Sequence, residues 1–255
     1  QNYPIYKVLH IETSFTKAYL YMFNITALMA FKAFTESLTK DGVEGELIKT
    51  IFVSLITSFV TFGILYSFKL KYVANFIPKY GFYLFFAILS YALILPSIRH
   101  VRAYKEFPCM SGMMIGMTIG MVAGFLPGFY VGATNGMFWG SVFGMSVGIV
   151  SGTWNGQCCG IMGIMEGMMA GFMGGVMGAM TAVMMLNDNL KAAGVIVFII
   201  SACVMAGLHF MIYKETRGAE RKHKDGELFV IAVSFILTML TTWITVFGPR
   251  SVLFQ

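Results

Sequence analysis

MMIGMTIGM at Met113–Met121 and MGIMEGMMAGFMGGVMGAM at Met162–Met180 interleave methionine with glycine at four-residue steps, with a single charged residue between them. Residues four apart form a ridge along one face of an α-helix. Each stretch therefore reads as a helix carrying one smooth glycine ridge and one thioether ridge. Glycine occupies every fourth position from 112 to 160 without a miss, then shifts phase to 163, 167, 171 and 175. Gly112, Gly116, Gly120, Gly124, Gly163, Gly167, Gly171 and Gly175 are accordingly the candidate helix-packing residues, because a seam without side chains lets a neighbouring backbone approach closely. As one helix, a run of about 48 residues would measure about twice the bilayer thickness. The run must fold back, and turns are expected at Pro127, which lacks an N–H, and at TWNGQ, 153–157. A tightly packed three-helix unit over 107–186 results.

Working outward, composition sets the solvent. The 255 residues are 57% hydrophobic and only 12% charged, with a mean hydropathy of +0.74, whereas soluble domains carry about a quarter charged residues. The expected class is an all-α integral membrane protein. Continuous apolar runs exclude a membrane β-barrel, whose strands alternate. Spans long enough to cross lipid are expected at 47–69, 78–98, 107–126, 129–152, 158–186, 192–213 and 228–248, seven in all. AYLYMFNITALMAFKAFT at 18–35, interrupted by Asn24 and Lys32, reads as an eighth, interfacial or spanning, helix. This divides the chain into 1–106, with that N-terminal helix and the first two spans; the core of 107–186; and a two-helix segment, 187–250. SVLFQ at 251–255 resembles the remnant of a tag-cleavage site.

Basic residues orient the spans. RHVRAYKE at 99–106 supplies Arg99, Arg102 and Lys105, and the loop 214–227 supplies Lys214, Arg217, Arg221, Lys222 and Lys224. Four spans separate the two loops, so both emerge on one side, expected to be cytoplasmic. Lys69, Lys71 and Lys79 run against this assignment. The net charge of +6 is accounted for by these loops beside anionic membrane lipid and implies no nucleic acid.

The methionines carry the chemistry. Met113, Met117 and Met121 each follow a glycine by one position; Met165, Met169, Met173 and Met177 each follow one by two, with Met162 beside them. The first ladder should therefore lie nearer its glycine seam than the second. Thioethers are soft ligands that select Cu(I) over hard cations, and weak repeated sites are what conduction requires. The M-x-x-x-M step over G-x-x-x-G packing resembles, in motif style only, the eukaryotic copper transporters of the Ctr type, which are short three-helix subunits. Cys109, Cys158 and Cys159 fall at the cytoplasmic ends of the third and fifth spans, where thiols held reduced can receive a soft ion. No cysteine spacing matches a zinc module. Glu166 is the one acid deep in the fifth span, where a carboxylate must be protonated, paired or wetted, and it is the leading ion-pathway residue. Met205 and His209, four apart on the sixth span, form an M-x-x-x-H face on the same pathway.

No nucleophile elbow, metalloprotease, phosphate-loop or dinucleotide signature occurs, and no enzyme activity is expected. The leading expectation is a non-enzymatic protein that binds and translocates a soft metal, with Cu(I) the candidate ion and no organic cofactor, through a methionine-lined helix interface. The alternatives are an accessory subunit whose glycine seams dock a membrane-protein partner or build a homo-oligomer, and a pore for another solute.

Overall fold

The computed structural model describes residues 43–68, 80–104, 107–216 and 227–249. Seven α-helices lie among them: α1 Val43–Phe68, α2 Phe82–Ala103, α3 Cys109–Asn135, α4 Met137–Gly156, α5 Gly160–Met184, α6 Leu190–Glu215 and α7 Glu227–Phe247. Six segments are long and apolar enough to cross a membrane, Met137–Met184 counting as a single run of 48 residues. Inside that run the chain turns back through a 3-10 turn at Gln157–Cys159, and Gly160 at φ +69° opens α5. The expected helix at 18–35, the lysines at 69, 71 and 79, most of the 214–227 loop and the 251–255 remnant lie outside the described residues.

Helices α3, α4 and α5 pack through their glycine seams, and the register is regular. Gly116, Gly120, Gly124 and Gly128 of α3 meet Gly163, Gly167, Gly171 and Gly175 of the parallel α5. Gly156, Gly152, Gly148 and Gly144 of the antiparallel α4 meet the same four in turn. A Cβ built at Gly124 would stand 2.7 Å from the Gly171 carbonyl oxygen, and one at Gly128 would stand 2.7 Å from that of Gly175. Only hydrogen fits there. Approach this close lets the backbones gain dispersion contact along the whole seam. A second ridge on α5, Gly174 and Gly178, rides against the Met121 and Phe125 carbonyls of α3. The phase shift between Gly160 and Gly163 follows from the reversal: the turn consumes three residues instead of four and the seams stay aligned.

Pro127 does not make the first turn. It lies inside α3, buried, and the helix continues to Asn135. Proline removes one intrahelical hydrogen bond but is tolerated in lipid-type helices where neighbours fix the path; here Gly128 and Gly132, packed against Gly175 and Ala179, hold it. The chain instead reverses at Gly136, whose φ of +104° and ψ of 172° suit a residue without a Cβ. Its N–H donates to the Gly132 carbonyl at 3.1 Å, and its carbonyl accepts from the Gly140 N–H at 3.1 Å.

The other face of α3 packs with ordinary side chains. Ile115, Ile119, Leu126, Phe129 and Tyr130 are buried in one cluster with Met205, Leu208 and Ile212 of α6. The Tyr130 hydroxyl donates to the Gly194 carbonyl at 3.2 Å. Helix α1 meets α7 through paired hydroxyls, Ser54 with Ser234 at 3.1 Å and Ser58 with Thr238 at 3.2 Å, in a parallel arrangement. The C-terminal ends of α2, α4 and α6 and the N-terminal ends of α3, α5 and α7 share one end of the bundle, which therefore carries Arg99, Arg102 and Lys214.

Candidate functional site

The end that bears Arg99, Arg102 and Lys214 also collects the thiols. Cys109 opens α3 immediately after Pro108, and Cys158 and Cys159 form the turn between α4 and α5. The Cys159 thiol donates to the Cys109 carbonyl at 3.0 Å, and the Cys158 thiol to the Asn155 carbonyl at 3.3 Å. The three thiols are close enough to interact with one another, and all are free. Gly112 makes the room: a Cβ there would fall 2.5 Å from the Cys159 sulfur and 3.0 Å from the Cys158 sulfur. Two sulfurs thus flank one point above a residue with no side chain. Among the described residues no group of three or more His, Cys, Asp or Glu side chains is arranged to hold a metal ion. The cluster offers a two-sulfur grip with a third thiol adjacent. Cys203 is exposed on α6, away from it.

The methionine ladders leave this end but face outward. Met117 and Met121 are 52% and 41% exposed, while Met162, Met165, Met169, Met173 and Met177 range from 51% to 69%. Met113, nearest the thiols, is only half-buried. The ladders do not turn toward the helix contacts of α3–α5; those contacts are glycine on glycine. The cause is angular. A residue one position after a glycine sits about 100° around the helix from it and one two positions after sits about 200° away, so the α5 ladder is driven to the side opposite its seam and the α3 ladder less far. The α5 rungs reach the higher exposures, up to 69% against 52% on α3. Glu166 lies one residue before Gly167 at the margin of the seam, partly exposed.

Met205 and His209 are turned inward instead. Met205 is fully buried, and the His209 ring stacks on His100 of α2, centroids 5.3 Å apart at 30°. The two Nδ1 atoms are 3.1 Å apart, and His209 Nε2 is 3.0 Å from the Ser97 hydroxyl. One ring must therefore carry its proton on Nδ1 and the other present a lone pair there. His100 Nε2 is buried and has no hydrogen-bond partner among the described residues. Beside the pair, Arg99 is buried and donates from Nη1 to the Thr50 hydroxyl at 2.8 Å. His100 carried no signal in the sequence, where it is one letter of the basic flank RHVR; its partner arrives from a helix more than a hundred residues away.

Comparison with known proteins gives no family model that matches the chain, and no curated protein or solved structure similar to it. The functional reading rests on the residues and their placement.

Proposed function

We propose that this chain is a multi-pass membrane protein of seven transmembrane helices that binds and translocates Cu(I), taken up at the Cys158 and Cys159 thiols beside Cys109 and passed along the thioether rails of α3 and α5. The observation that supports this reading is the placement of two sulfurs over Gly112 at the end from which both ladders start. Thiolate sulfur selects Cu(I) among the available cations, and thioethers bind it more weakly, which suits release. The Cys159 sulfur meets the backbone of Met113, the first rung of the α3 ladder. Glu166, adjacent to Met165 and partly exposed, supplies a compensating charge near the rail.

Because the rails lie on the outside, a cation on them needs cover from acyl chains, and a second copy of the chain would supply it by setting its own rail opposite. The same surface supports the second reading, a non-catalytic assembly subunit. Helix α5 packs chiefly on α3 and α4 and leaves its methionine face uncovered. The glycine seams are filled within the chain, so a partner would meet flexible, polarizable methionine rather than glycine.

Elemental analysis of detergent-purified protein after growth with copper or silver tests the proposal. The wild type is expected to carry metal, and the Cys158→Ser/Cys159→Ser double variant to lose it. The metal held by the wild type should fall as pH is lowered, because the thiols must release protons to bind. Met165→Leu/Met169→Leu/Met173→Leu, volume-conserving and on an exposed face, should leave thermal stability unchanged while abolishing transport into vesicles. Unaltered stoichiometry in the cysteine variant removes the metal reading; loss of a higher-order species in the methionine variant, with metal absent throughout, supports the assembly reading.

A further inference from the structure

Helix α3 separates the thiols from a second group of metal donors. Its glycine seam faces α4 and α5, while Ile115, Ile119 and Tyr130 share a cluster with α2 and α6, the helices that carry His100 and His209. His209 stands six residues, about 9 Å, short of Glu215 at the C-terminal end of α6. It is partly exposed, whereas His100 is 1% exposed, so the pair is approached from the His209 side.

The two rings present their nitrogens to one point. The 5.3 Å between ring centres is nearly the sum of the 3.1 Å gap between the Nδ1 atoms and the two ring radii, so the lone-pair directions at Nδ1 run toward each other. In the hydrogen-bonded pair one Nδ1 carries a proton. That proton has another place: each neutral ring can hold its single proton on Nε2, where His209 donates to the Ser97 hydroxyl at 3.0 Å and no partner opposes one on His100. Both Nδ1 lone pairs are then free, the rings stay neutral and no proton leaves the protein. Anchoring the far nitrogen of a ligating imidazole, as Ser97 does, fixes its tautomer and orientation.

Two neutral nitrogens on one line suit an ion satisfied by two ligands. Zn²⁺ takes four, and among the described residues no third His, Cys, Asp or Glu joins the pair. Ca²⁺ and Mg²⁺ require oxygen. Cu(I) accepts linear coordination by two donors. At about 2.0 Å per bond the nitrogens must stand about 4 Å apart, a widening of about 0.9 Å from 3.1 Å that torsion of the partly exposed His209 side chain supplies. Arg99, next to His100 in the chain, is turned to α1, with Nη1 on the Thr50 hydroxyl.

We propose that His100 and His209 form a second Cu(I) site, the ion held between their Nδ1 atoms: two nitrogen–copper bonds form and one hydrogen bond breaks. The proposal rests on the Cu(I) reading of this chain but does not need the thiols. Neutral imidazoles hold Cu(I) less tightly than thiolates do, so this site fills from added metal and empties in a purification that leaves the thiol-bound ion in place.

The full chain carrying Cys109→Ser/Cys158→Ser/Cys159→Ser, given one equivalent of Cu(I) anaerobically in detergent and read by X-ray absorption at the copper edge, tests this. Two nitrogen ligands at about 2.0 Å are expected. Adding His100→Leu/His209→Leu should abolish the nitrogen signal, with circular dichroism to verify the fold. Ser97→Ala in the thiol-free chain should keep both nitrogens and weaken Cu(I) binding about tenfold, through loss of the anchor on His209 Nε2. A thiol-free chain that binds Cu(I) through sulfur alone, or binds none while the wild type does, overturns the second site and leaves the thiol site standing. Nitrogen ligands that persist in a folded double histidine variant overturn it too. Uptake by neither wild type nor variant removes the Cu(I) reading itself, and this site with it.

Discussion

Gly148→Ala is expected to destabilise the protein by about 3 kcal/mol or more, the upper end of what over-packing costs. The added methyl would lie 2.7 Å from the Gly171 carbonyl oxygen, 2.8 Å from the Gly124 Cα and 2.9 Å from the Gly171 Cα. All three obstacles are backbone, so no rotamer change relieves them. The methyl wedges α4 from both α3 and α5 at once, and separating them loosens every other rung of the seam. Gly207→Ala on α6 is the matched control. Nothing lies within 4 Å of a Cβ there, and exchanging a helical glycine for alanine in open space should stabilise by up to about 1 kcal/mol. Unfolding in detergent, followed by circular dichroism, should therefore move in opposite directions for the two variants. Equal shifts would mean that the seam is not what holds α3–α5 together.

Replacing His209 alone by Leu should cost more than replacing His100 and His209 together. The single change leaves His100 Nδ1 and the Ser97 hydroxyl bare in an apolar setting, a penalty of about 1–3 kcal/mol, whereas the double change takes the unmet imidazole away and leaves only the Ser97 hydroxyl without this partner. A double-mutant cycle with His100→Leu should give a coupling of about 0.5–3 kcal/mol, favourable to the intact pair. Additive costs would show that the ring contact carries no energy of its own. The cycle also bears on function. A pair kept only for packing would tolerate the double change with transport intact, while a pair on the ion path would not.

How much of this was legible in the sequence depends on how local each feature is. The glycine period disclosed the three-helix unit because a four-residue repeat is a property of one helix, and it also required close packing. The turn was misplaced at Pro127 because proline's defect is visible in the letters while the neighbours that stabilise it are not. Gly136 was hidden as one more member of the regular series, although the preceding asparagine offered a turn cue. The span ends put Cys109, Cys158 and Cys159 on one side of the chain's path, and the contact of the Cys159 thiol with the Cys109 carbonyl at 3.0 Å comes from the turn that brings α5 beside α3. The direction of the methionines was half legible: the offsets from glycine ranked the two ladders, but only the filled seams fixed both of them outside. The His100–His209 pair depends on a contact between distant helices, and no single segment announces it.

The interior of the α3–α5 unit has almost no side chains, and this separates two kinds of motion. Glycine has no rotamers to freeze, so the inside of the unit holds no side-chain disorder at all, while the sheath of long thioethers keeps its torsional freedom. Relaxation measurements should find peptide planes nearly static on the nanosecond scale beneath methionine methyl groups that reorient freely. A stiff axle wrapped in a compliant coat can change what it touches without changing its own shape.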